Sequence, residues 1–324
     1  MLLALLLVFA YQGTTQVIFV KQGATGTGTS WQNALGNLNT ALEQAAFGDE
    51  IRVATGTYHP TTTADRNAAF AIPDGVKVYG GFAGTESSLE ERNLSLSPTI
   101  LSGEIGTPGI ADNSFNVVVT KNVSSSTLID GFIISDGNAS GEGQEASRNR
   151  SGGAWYNDGS AGGSSNPTIN NCVFRENFGR DGAALYNNGI EGESSPTLTN
   201  CTFINNEAGL DGGAIYNNGR NRGKSNPVLQ NCTFEKNVGT YGGAIFSAID
   251  DGVCNLYLEN CSFKENMAYL RGGAVFSMNG KQSCYLEFSD CIFDGNYPDD
   301  QNKVFTNNTA RSKAYRIVSS SPSP

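Results

Sequence analysis

The chain has 324 residues, 40 of them glycine, and carries 31 Asp plus Glu against 21 Lys plus Arg for a formal net charge of −10. That balance argues against nucleic acid or an anionic membrane surface as partner, because both repel an acidic protein. Few charges and much glycine suit an extracellular β protein rather than a helical one.

Residues 1–13, opening MLLALLLVFA, read as a signal peptide, with cleavage expected after Ala10. The apolar run is too short to span a bilayer. Retained, it would form an N-terminal strand. Residues 14–60 read as an N-terminal cap with the first strands. Gln16 to Val20 is a strand, and Trp31 to Ala46 an amphipathic helix with Trp31, Leu35, Leu38, Leu42 and Ala45 near helical spacing. Gly48 and Asp49 end it, and Ile51 to Ala54 resumes strand. A helix laid over the first rung would protect a raw sheet edge. Gly23, Gly26 and Gly28 have the look of a phosphate loop, but no glycine stands at 31 and no Gly-Lys-Ser/Thr follows, so no nucleotide site is expected. His59, the lone histidine, precedes Pro60 and reads as a loop residue rather than a base.

The segments 76–82, 99–103, 116–120 and 127–134 read as less regular strands, and Phe132 aligns with the cysteines of later copies. Two polar stretches, 61–70 and 137–153, read as surface insertions. The second carries Arg148 and Arg150, and would overhang the first regular rungs beside Asp181.

From about Ser165 one phrase recurs: NCVFREN at 171–177, NCTFINN at 200–206, NCTFEKN at 231–237, NCSFKEN at 260–266 and DCIFDGN at 290–296. A second alternates with it: DGAALY at 181–186, DGGAIY at 211–216, YGGAIF at 241–246 and RGGAVF at 271–276. The steps between Cys172, Cys201, Cys232, Cys261 and Cys291 are 29, 31, 29 and 30 residues, a solenoid period. Short alternating runs suit strands, glycine and asparagine exclude helical repeats, and a propeller blade needs about 40 residues. The expectation is an all-β fold, a single-stranded parallel β-helix over 61–309 whose turns stack at about 4.8 Å. Residues 310–324 read as a disordered tail.

In such a stack each motif letter becomes a ladder. Phe174, Phe203, Phe234, Phe263 and Phe293 form one buried column, and the five cysteines form another. Asn177, Asn206, Asn237, Asn266 and Asn296 bond the turn backbone and the next copy. Gly-Gly pairs at 212–213, 242–243 and 272–273 turn the corner. Glu235 falls beside Lys264, and Lys236 beside Glu265. The ladder thiols are expected to be free, acting as small hydrophobes. Cys254 and Cys284 replace Ser165, Ser194 and Ser225 and are the candidates for one disulfide. No cysteine pair has zinc-ligand spacing, so no metal site is expected. The sequons at Asn200, Asn231 and Asn260 are by-products of the repeat.

The F-x-x-N plus GGA(I/L/V) repeat resembles that of chlamydial polymorphic outer-membrane proteins and of related secreted bacterial proteins. The resemblance spans about 140 residues. It implies the pectate-lyase-like right-handed β-helix and a protein secreted or held at a bacterial outer surface. Those chlamydial proteins carry a translocator barrel after the repeats. None is read here, so release, anchoring by another protein, or a fragment is expected.

One column departs from pure stacking chemistry. Asp181 and Asp211 precede the glycines one rung apart, Tyr241 and Arg271 continue the column, and Arg180 flanks it. Two carboxylates about 5 Å apart share a proton, bind Ca²⁺ or serve a retaining glycosidase. Alternatively Asp before Gly-Gly only caps a turn. Asp181, Asp211 and Arg271 are thus the catalytic candidates, with Tyr241 and Arg180 for binding. The favoured expectation is non-catalytic adhesion or glycan binding, the partner being a polysaccharide or a cell-surface glycan or protein of a host or neighbour. The rival is a polysaccharide lyase or glycoside hydrolase, with Ca²⁺ the cofactor only for a lyase. No segment after the signal is read as crossing a membrane.

Overall fold

The computed structural model describes residues 15–278 and 285–298, together with the strands Val304–Thr306, Lys313–Tyr315 and Val318–Ser319. The expected signal peptide and Cys284 lie outside the described residues. The protein is an all-β parallel β-solenoid of about 9 turns, with only 5% helix. Among the described residues the strands form parallel sheets of ten, nine, eight and five members. No described helix is long and apolar enough to cross a membrane.

One turn shows the plan. Thr197–Thr199 belongs to the ten-strand sheet, Thr202–Ile204 to the nine-strand sheet, Glu207–Ala208 to the five-strand sheet and Ile215–Asn218 to the eight-strand sheet. Each pairs in register with the turns before and after, so that Phe203 lies between Phe174 and Phe234. Left-handed residues make the corners. The asparagine before four of the five ladder cysteines takes φ between 52° and 55° (Asn171, Asn200, Asn231, Asn260) and Asp290 before the fifth takes 51°, a region that Asn and Asp tolerate better than most residues. The letters read as incidental sequons are therefore turn formers. The glycine pair divides its work: Gly212 supplies φ +69°, whereas a Cβ on Gly213 would meet the Gly243 carbonyl oxygen at 2.0 Å.

Inside, the Phe column is fully buried, with neighbouring rings 4.7 to 4.9 Å apart and within 6° of parallel. Phe132 does stand beside Cys172, and Ile134 heads the Phe column. The buried Asn ladder is continuous: Asn177 Nδ2 donates to Asn206 Oδ1 at 3.0 Å, and the pattern repeats through Asn237, Asn266 and Asn296 at 2.8 to 2.9 Å. The Oδ1 atoms of Asn206, Asn237, Asn266 and Asn296 also accept the backbone N–H of the preceding ladder residue, so each of these oxygens holds two bonds. Outside, Glu235 pairs in register with Lys264, and Lys236 reaches Glu265 at 3.7 Å.

The five ladder cysteines are free and buried. Each thiol donates to a carbonyl of the preceding rung, as Cys201 does to Ile169 at 3.5 Å and Cys261 to Leu229 at 3.5 Å. In-register parallel strands hold Cβ atoms one rung apart, about 4.8 Å, beyond the roughly 3.8 Å of a disulfide. Burial pushes the Cys172 thiol up to about 12. Hydrogen bonding to Cys232 does the same for Cys261, also to about 12. The Cys254 thiol donates to the Asn217 carbonyl at 3.5 Å.

The structure departs from expectation at four places, three of them in the N-terminal half. The segment 31–46 splits into a 3-10 turn, Trp31–Asn33, and a helix, Leu38–Gln44. Gly36 passes too close to Ala24 for any side chain, and the Asn37 side chain then caps the helix. The insertion at 61–70 ends in core: Phe70 is buried and pairs with Val118. The insertion at 137–153 is shorter too. Asn138–Ala139 is a strand, Ser151 bridges to Asp181, and Trp155 pairs with Leu185. SGGAWY at 151–156 is thus a further copy of the glycine phrase, and the loop is 140–150. Finally, Lys313–Tyr315 and Val318–Ser319 extend two sheets into the stretch read as tail, where the last rung offers unpaired backbone groups.

Candidate functional site

In the eight-strand sheet Leu185, Ile215, Ile245 and Val275 point into the core, so by strand alternation Tyr186, Tyr216, Phe246 and Phe276 point outward. They are buried nonetheless, with Tyr156 at the head of the file. The glycine corner lies against them: a Cβ on Gly182 would meet Tyr216 Cβ at 2.8 Å, and one on Gly272 would meet Phe276 Cβ at 2.8 Å. The residues just before that corner, Ser151, Asp181, Asp211, Tyr241 and Arg271, form a wall beside the rings.

Two copies carry one extra residue before the corner. Glu207 to Asp211 is longer by one than Phe178 to Asp181, and Met267 to Arg271 longer by one than Val238 to Tyr241. The irregular register between Gly239 and Tyr241 accommodates the surplus. The longer copies put Leu210, Tyr269 and Leu270 into solvent, 37%, 64% and 55% exposed.

The wall residues do not act as one site. Asp181 is buried, and Arg150 Nε of the 140–150 loop donates to its carboxylate at 3.0 Å. Burial outweighs this bond, and the Asp181 carboxyl sits above its ordinary range. Arg148, from the same loop, turns instead to Asn116 Oδ1 at 2.8 Å. Arg180 is half-buried beside Asp181, and its backbone N–H donates to the Arg150 carbonyl at 2.9 Å. Asp211 accepts the Tyr241 backbone N–H at 3.3 Å. Burial first, and the Asp181 charge second, push Asp211 up to about 6. The carboxylates thus have separate partners, Arg150 and the Tyr241 backbone.

Asp211, Tyr241 and Arg271 do come together, around a groove of about 440 Å³ that Phe246, Phe276, Leu270 and Met278 complete. Tyr241 and Phe276 rings are 4.9 Å apart and tilted by 48°. The outward ring file was missed in the sequence, although its signal is the last letter of each glycine phrase. Ca²⁺ takes six to eight oxygen ligands, and among the described residues no group of three or more His, Cys, Asp or Glu side chains converges.

The fold defines a class, the parallel β-helix proteins. The model of the Chlamydia polymorphic membrane protein repeat matches residues 200–218 and 231–248, two stretches that include Asp211 and Tyr241 of the groove wall. The chain is therefore a β-helix protein with polymorphic membrane protein repeats, the repeat of bacterial surface β-helix proteins. No curated protein and no solved structure matches it.

Proposed function

We propose that the protein is a non-catalytic component of a bacterial outer surface that holds a glycan or protein partner in this groove. The observation that carries this reading is the groove itself. Elsewhere the repeat letters stack, turn or pair with their own copies, whereas Asp211, Tyr241 and Arg271 differ from rung to rung and share an open cavity. Sites of this kind combine an apolar floor with a few polar groups that fix orientation.

A second reading has one observation behind it. A carboxyl held near 6 at a groove wall is poised for general acid catalysis, as a glycoside hydrolase needs. That chemistry wants a second free carboxyl, and Asp181 is committed to Arg150. The discriminating experiment screens the purified protein against acidic and neutral polysaccharides and a glycan array, with and without Ca²⁺. Retention without cleavage, weakened roughly tenfold by Tyr241→Ala, is expected for a binding groove. Unsaturated or reducing-end products lost in Asp211→Asn would replace it with a lyase or hydrolase.

A further inference from the structure

The groove lies at one end of a longer line of rings and wall residues. The floor of that line is the ring file from Tyr156 to Phe276, and its wall is the column containing Asp181 and Asp211. Over the first part lies a stretch of this same chain, the loop 140–150. Ala146 packs on the rings and its carbonyl accepts the Tyr156 hydroxyl at 2.6 Å. Arg150 seals the wall by donating to Asp181, and Glu145 pairs with Arg220. A loop folded in turns, with one arginine on the wall carboxylate, is thus what lies over the first rings already.

The loop reaches the next rung through Glu145, and the wall chemistry continues past it. Asp211 occupies the position of Asp181 and feels the charge of Arg220, but that guanidinium is paired with Glu145, and the described residues place no basic side chain within ion-pair distance of Asp211. A half-buried carboxylate whose cationic neighbour is already paired can take a direct partner of its own. The floor changes one copy later, past Tyr216. Tyr156 and Tyr186 carry hydroxyls that accept from Asn188 and Asn218, whereas Phe246 and Phe276 carry none, and Leu270 and Met278 add further apolar edges. A sugar face rich in hydroxyls would find few partners there, and an aliphatic side chain would find many. Arg271, two rungs beyond Asp211, disfavours a second cation.

We propose that the groove takes a peptide segment of a partner protein, seated beyond the 140–150 loop. One arginine or lysine sits on Asp211, and an adjoining apolar side chain lies against Tyr241, Phe276 and Leu270. This rests on the groove being the contact surface, and the net charge of −10 draws such a partner in.

The test titrates the whole chain with four labelled, end-blocked tetrapeptides: Gly-Leu-Arg-Gly, Gly-Leu-Glu-Gly, Gly-Gly-Arg-Gly and Gly-Arg-Arg-Gly. The first should bind best, ahead of the glutamate version by roughly tenfold or more, the scale of one charge-assisted contact. Asp211→Asn should remove that preference and Asp211→Glu restore much of it, with unchanged circular dichroism in both. Tyr241→Arg, which installs a cation beside Asp211 as Arg150 does beside Asp181, should block the peptide. Equal affinity for the arginine and glutamate peptides, or an Asp211→Asn protein that binds normally, would overturn the proposal. Failure of every peptide while an array glycan is lost on Tyr241→Ala would overturn it and leave the groove as a glycan site. If no probe binds and Tyr241→Ala changes nothing, both readings fall.

Discussion

The two halves of the solenoid solve the same packing problem differently. From Ser165 onward each rung is held by its own copies above and below: Phe on Phe, Asn on Asn, thiol on carbonyl. Before Asn149 the turns are unequal and arginines join them instead. Arg66 donates to the Asn113 and Asn138 carbonyls and lies 4.1 Å over the Phe115 ring. Arg92 pairs with Asp130 at 2.9 Å while facing the Tyr79 ring. Arg52 faces Phe19 and Phe82. Identical side chains tile where the strands of successive turns keep one register, and a long planar cation with five donors serves where they do not.

The largest effect is expected in the tiled half. Phe234→Ala removes a fully buried ring from between two stacked neighbours and should destabilise the fold by about 3–5 kcal/mol. Chemical denaturation measures it, and a loss under about 1 kcal/mol would show that the Phe ladder is not what holds the repeats. In the irregular half, Arg92→Met leaves the buried Asp130 carboxylate uncompensated except by Asn171, which donates to it at 3.0 Å. A cost of about 2–3 kcal/mol is expected, below that of Phe234→Ala because the pair keeps some contact with solvent. A larger loss than in the Phe variant would reverse the ranking of clamps and ladders.

The smallest effect has the opposite sign and belongs to the groove. Asp211 is held at about 6 in the folded chain against an ordinary 3.8, so the folded state binds more protons than the unfolded between those values. Stability should therefore fall as pH rises from about 4 to about 6 and stay level above. Asp211→Asn keeps the acceptor for the Tyr241 N–H and removes the charge. It should stabilise the neutral-pH protein by about 1 kcal/mol, after discounting for partial exposure, and flatten that part of the pH profile. Thermal melts of both proteins at pH 4, 5, 6 and 7 decide it. A destabilised variant would make Asp211 part of the turn rather than of the groove.

The repeats were legible because each motif letter corresponds to one position in space. Five FxxN copies at a near-constant step fix strand, register and column without any distant partner. The clamps were not legible, since Arg66 and Asn138 lie 72 residues apart and no local pattern joins them. SGGAWY at 151–156 was hidden by the polar residues before it, although it differs from DGGAIY at only two letters. The Asp181 to Arg271 column was readable as a column. What it faces was not, because alternation alone sends Tyr216 and Phe246 outward, and only the returning glycine corner buries them.

The length of each turn is also distributed unevenly. From Ser165, Ser194, Ser225 or Cys254 to the next buried ladder asparagine the offset is always 12 (165 to 177, 194 to 206, 225 to 237, 254 to 266). From that asparagine to the following corner glycine it is 5, 6, 5 and 6 (177 to 182, 206 to 212, 237 to 242, 266 to 272). The first arc runs like a ruler, since one added residue would flip its strands to the wrong face. The second arc is elastic: its surplus residue surfaces as Leu210 or, at the groove, as Leu270, and the Phe and Asn ladders keep their register. Such a molecule can redraw its contact surface copy by copy while its scaffold keeps time.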